Sequence, residues 1–120
     1  MTGPLSRLRV VGIFVVALAA TTANVTGTWE IEATFDDSSV SGGGFDCAFK
    51  QDGERLTGSC SGGTAPLTGE VQAQNITWQL KAGVTQEAVT FTGVVDEAGA
   101  SMKGRFTIGG TGGRFTALKQ

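Results

Sequence analysis

Cys47 and Cys60 are the only cysteines in this chain of 120 residues, and histidine is absent from it. The lack of histidine removes the commonest general base and the commonest metal ligand. A redox pair would call for Cys-x-x-Cys spacing, which Cys47 and Cys60 do not have. Both fall on the same face of one expected hairpin, so the expectation is a disulfide, which stabilises a loop of this size by ~3 kcal/mol in the chain-entropy account. Asp36-Asp37-Ser38-Ser39 offers oxygen ligands suited to a hard cation, but the same run reads as a solvated loop, and no metal site is expected. The carboxylates otherwise sit on outward strand positions or in turns, where nothing would desolvate them and shift their pKa. No nucleophile elbow, phosphate-cradling glycine loop or zinc spacing occurs. The expectation is therefore a non-enzymatic protein with no cofactor. What remains is aromatic: Trp29, Phe35, Trp78, Phe91 and Phe106 can form the wall of an apolar ligand site, or simply fill a core.

Several features point to export. Arg7 and Arg9 precede an apolar stretch from Val10 to Ala20, and small residues Thr21, Thr22 and Ala23 follow. This is the charged, apolar and cleavage-site layout of a secretory leader, and the stretch is shorter than the ~20 residues of a membrane span. The reading takes residues 1–23 as a signal peptide, with Ala19 and Ala20 as alternative cleavage positions, and residues 24–120 as one domain. Such a domain is secreted or periplasmic, does not insert in the membrane after cleavage, and is a monomer. Without Arg7 and Arg9 the nine cationic residues become seven against eleven acidic ones. That balance, with the signs interspersed, excludes nucleic acid as a partner. Asn24-Val25-Thr26 and Asn75-Ile76-Thr77 match the glycosylation sequon, which matters only in a eukaryotic source.

The elements that would carry the aromatic residues are strands. Five times an apolar residue, then Thr or Lys, then Gly recurs: Val25-Thr26-Gly27, Leu56-Thr57-Gly58, Leu67-Thr68-Gly69, Phe91-Thr92-Gly93 and Met102-Lys103-Gly104. Each lies in an alternating run, and a period of two puts every second side chain on one face of a sheet. Eight strands are expected, at about 25–36, 44–50, 55–61, 67–73, 76–81, 87–95, 101–108 and 113–119. Asp52-Gly53 and Gln74-Asn75 mark two of the turns. No segment past residue 23 shows the spacing of an amphipathic helix.

Eight antiparallel strands in sequence would leave two raw edges as an open sheet, and closure removes them. The fold class is thus all-β, an eight-stranded antiparallel up-and-down barrel. Its first, third, fifth and seventh connections share one end and are the loose, Gly/Ser-rich ones, which makes that end the mouth.

Gly27-Thr28-Trp29 on the first strand, the eight strands and the repeated Leu-Thr-Gly hairpins resemble the calycin superfamily, which includes lipocalins, avidins and small bacterial protease inhibitors. The resemblance spans most of residues 24–120. It implies that Trp29 packs across the closed bottom of the barrel close to Ala117, with Lys119 as a cap. Avidins follow this Trp with an Asn and a Ser for the biotin ring; Glu30, Ile31 and Glu32 stand here instead, so biotin binding is not implied.

Two functions fit. In the first, the barrel holds a small apolar molecule at its mouth, walled by Trp29, Phe35, Trp78, Phe91 and Phe106, with residues 36–43 as a lid. In the second, a solid barrel engages an exported protein, as the resemblance to protease inhibitors implies. Whether the barrel holds an enclosed apolar cavity larger than about 300 Å³ discriminates between them.

Overall fold

The structure, a computed structural model, describes residues 22–82 and 86–120. Nearly all of the expected leader, residues 1–21, lies outside the described residues. Eight strands follow one another: β1 Gly27–Phe35, β2 Gly43–Asp52, β3 Arg55–Cys60, β4 Ala65–Gln72, β5 Asn75–Ala82, β6 Glu87–Val95, β7 Ser101–Ile108 and β8 Thr111–Lys119. Each pairs antiparallel with the next, and β8 pairs with β1 to close the barrel. Closure satisfies every edge, as the up-and-down reading requires.

Alternation sets which side chains enter. On β1, Trp29 and Ile31 are fully buried, and Glu30, Glu32 and Thr34 are exposed. Ala48 faces outward between buried Cys47 and Phe49. Among the described residues no polar or charged residue is buried. Each fully buried Leu, Ile or Phe contributes about 1.5–3 kcal/mol, and a large-to-small change such as Leu56→Ala would cost about 2–5 kcal/mol.

An eight-stranded barrel is narrow, and the repeated glycines make room for its rings. In register, Phe49 faces Gly58, Trp78 faces Gly69, and Phe115 faces Gly104. A Cβ on Gly69 would lie 2.7 Å from Trp78 Cα, and one on Gly104 would lie 2.0 Å from the Thr92 carbonyl oxygen. At Gly58, Gly69, Gly93 and Gly104 the third residue of the repeat thus serves packing, since any side chain there would displace backbone, whereas at Gly27 a Cβ would meet only Lys119 Cε, at 3.0 Å.

Several boundaries differ from the expectation. β1 begins at Gly27 rather than Val25, because the Val25 amide donates to Gln51 Oε1 (2.8 Å) and its carbonyl accepts from Trp29 Nε1 (2.8 Å), outside the ladder. β4 begins at Ala65 and runs through Pro66, which lacks an amide hydrogen and stands opposite Ser59 near the strand's start. The β4–β5 turn is Ala73-Gln74, one residue earlier than expected, with Ala73 at φ +54°.

Candidate ligand-binding cup

The mouth-end halves of seven strands surround a cup of about 300 Å³ that is open to solvent, not the larger enclosed cavity that discriminates between the two functions. Ala33 and Phe35 come from the end of β1, and Gly43, Gly44 and Phe45 from the start of β2. Cys60, Ser61 and Ala65 form the wall at the β3–β4 turn, and Leu80, Val89 and Phe91 the wall of β5 and β6. Phe106 and Ile108 complete the lining from β7. None of these side chains is charged, and Ser61 is the single hydroxyl.

The rings are held against one another. Phe35 meets Phe106 edge to face, centroids 5.1 Å apart at 79°. They touch across β8 because Gly113 lies between them in register; a Cβ there would come within 2.8 Å of both the Phe106 ring and Phe35 Cα. On the outer side of the same strand, Arg105 pairs with Asp36. The end of β1 is therefore tied to β7 inside by rings and outside by charge. Both charged groups are more than half exposed, so the ion pair contributes little stability.

Phe91 forms the floor. Its ring contacts Phe45 (6.1 Å), Phe106 (5.8 Å), Phe115 (5.3 Å) and Trp78 (4.6 Å). Beneath it Trp78 lies edge-on to Phe115 and Phe49, and Phe49 reaches Trp29 at 6.2 Å. The lower half of the barrel is solid.

Of the five aromatic residues expected at the site, Phe35, Phe91 and Phe106 line the cup. Trp78 and Trp29 lie below it, both fully buried, Trp78 under Phe91 and Trp29 towards the closed end. There Trp29 stands opposite Lys119, whose Nζ is 6.0 Å from the indole centroid, and Ala117 stands opposite Ile31. Phe45 lines the cup without being among the expected site residues, although its alternation with Cys47 and Phe49 places it on the inner face. Cys47 and Cys60 are opposed in register and joined in a disulfide, with Cys60 in the cup wall.

At the rim, the run from Asp36 to Ser39 is engaged by the protein itself. Asp37 Oδ1 accepts from the Ser39 hydroxyl (2.7 Å) and amide (2.9 Å). Those two bonds, the hydroxyl's first, hold the Asp37 carboxyl below its ordinary pKa. Among the described residues no group of three or more His, Cys, Asp or Glu side chains comes together.

No protein-family model and no curated protein matches this chain. Solved structures do share its fold. A redesigned β-barrel, b11L5F_LGL, superposes with a TM-score of 0.59 at 16% identity, covering 80% of this chain and 90% of its own. A redesigned β-barrel, mFAP1, bound to DFHBI, gives 0.57 at 14% identity, covering 80% and 94%. A third, mFAP0, also bound to DFHBI, gives 0.50 at 14% identity, covering 80% and 98%. Identities this low establish the closed eight-stranded barrel and nothing about ligands.

Proposed function

We propose that this barrel is an exported, non-enzymatic binding module that holds a small apolar molecule in the cup at its loose-loop end. The observation that carries the reading is the lining: four phenylalanines and several aliphatic side chains around about 300 Å³, without a charged group. An apolar concavity left open to water gains free energy when a matching apolar surface fills it. Two similar designed barrels are complexes with DFHBI, which supports a barrel of this size accommodating a ligand. The disulfide is consistent with an oxidising compartment.

The test uses tryptophan emission. Trp29→Phe leaves Trp78, stacked on the floor residue Phe91, as the sole tryptophan. Titration with small apolar compounds should change its emission saturably at micromolar concentration, about 8 kcal/mol of binding free energy. Phe91→Ala should weaken that binding far more than Gln79→Ala on the exposed face. Failure of every compound to bind, together with inhibition of an exported protease, would favour the solid-barrel reading.

A further inference from the structure

We infer that the cup selects compact, uncharged aromatic molecules seated above Phe91 against the half-buried rings of Phe35 and Phe45 and discriminates against long-chain amphiphiles; the inference rests on the reading of the cup as a ligand site. Three observations carry it. The first is size: about 300 Å³ lies at the lower end of the roughly 300–1,000 Å³ usual for ligand sites, so a compact shape fits and an extended one does not.

The second is depth. A linear chain gains by threading into a barrel, and here the route down is closed. Phe91 stacks on Trp78 with the planes 5° apart, and Phe115 stands edge-on to both rings at 82° and 87°. Trp78, Phe115 and Phe91 are all almost completely buried, so no channel continues past them. A twelve-carbon chain would leave much of its length in water.

The third is chemistry. A carboxylate or ammonium drawn into the cup would meet no opposite charge and lose its hydration, whereas a neutral ring meets the ring edges and faces of Phe35, Phe45, Phe91 and Phe106. Phe91 is already covered by four other rings, so the free ring surface of the cup is that of the half-buried Phe35 and Phe45, and an aromatic ligand set against them extends the cluster.

The experiment compares three probes on the intact protein: N-phenyl-1-naphthylamine, a neutral aromatic dye; 1-dodecanol; and dodecanoate. The dye should bind saturably with enhanced fluorescence, and each linear competitor should displace it at least ~tenfold more weakly than unlabelled naphthalene-class compounds do. Ala65→Phe narrows the cup at its wall and should weaken dye binding by about tenfold with circular dichroism unchanged. Phe45→Leu keeps an apolar wall but removes an accessible ring, and should erase the preference for the dye over dodecanol. Dodecanol or dodecanoate competing as well as the aromatic compounds would overturn the selectivity while leaving the cup a binding site. Dye binding unaffected by both substitutions would place the dye elsewhere and overturn the inference. Binding of none of the three probes would overturn both the inference and the ligand-site reading beneath it.

Discussion

Trp78 and Phe91, opposed in register on β5 and β6, lie with their rings nearly parallel, 5° between planes and 4.6 Å between centroids. This stack divides the barrel. Above it the strands enclose an open apolar cup; below it the rings of Phe115, Phe49 and Trp29 fill the interior down to the closed end. The division follows from pairing large residues with glycines, which lets five aromatic rings occupy a barrel whose radius would otherwise exclude them.

The two tryptophans are not equivalent. Trp29 Nε1 donates to the Val25 carbonyl at 2.8 Å, whereas among the described residues Trp78 Nε1 is buried without a hydrogen-bond partner. Both substitutions to Phe remove similar volume, but only Trp29→Phe also strands a buried carbonyl. Trp29→Phe is expected to destabilise the protein by about 1–2 kcal/mol more than Trp78→Phe, as measured by urea unfolding. Equal losses would contradict this assignment.

Replacing Cys47 and Cys60 together by Ala should leave the barrel intact and lower its stability by about 3 kcal/mol, since the bridge closes a separation of 13 residues. Denaturation of the oxidised protein and of the double variant, with a thiol titration showing no free thiol in the former, checks this.

Gln51 fastens the segment before β1. Its Oε1 accepts from the Val25 amide (2.8 Å), and its Nε2 donates to the carbonyls of Ala23 (2.8 Å) and Gly53 (2.9 Å). The Ala23 amide in turn donates to the Ala73 carbonyl at 2.8 Å. Cleavage after Ala23 would discard both Ala23 contacts; cleavage after Ala19 or Ala20 keeps them. If the chain is exported as proposed, intact mass of the mature protein distinguishes the three cleavage positions: a start at Ala20 or Thr21 retains both Ala23 contacts, and a start at Asn24 shows that the barrel does without them. Gln51→Ala should cost about 1–3 kcal/mol by leaving the Val25 amide unpaired, and should speed hydrogen exchange at that amide.

Asp96 anchors the turn between β6 and β7. Its Oδ1 accepts from the amides of Ala100 (2.8 Å) and Ser101 (3.2 Å), and its Oδ2 from the Ser101 hydroxyl (2.9 Å). These bonds, the Ala100 amide's first, hold its carboxyl below the ordinary value. A folded pKa below the unfolded one means that the stabilisation is full above the unfolded pKa of about 4 and fades as pH falls through the folded value. Asp96→Asn should thus lower the melting temperature at pH 7, and the difference from the unaltered protein should shrink below about pH 4.

Much of this was legible in the residues. The unbroken alternation through Trp29, Ile31 and Ala33 specified a half-buried strand, and the opposed Cys47 and Cys60 followed from the hairpin phase. Height along the barrel axis was not legible. Trp29 and Phe35 share a strand and an inner face, yet one lies near the closed end and the other at the mouth, because alternation reports which face a side chain takes and not how far it stands from the floor. The position of Phe45 at the mouth is hidden for the same reason. Val25 fits the alternation and is fully buried, but its backbone bonds go to side chains, which no periodicity reveals.

The most direct measurement is a chemical-shift map of the labelled protein saturated with N-phenyl-1-naphthylamine. The largest changes are expected at the rings of Phe35, Phe45, Phe91 and Phe106 and at Ile108, with the Trp29 indole resonance at the closed end unmoved. Changes concentrated instead at the exposed outer residues Val94 and Leu118, with the cup residues silent, would contradict it.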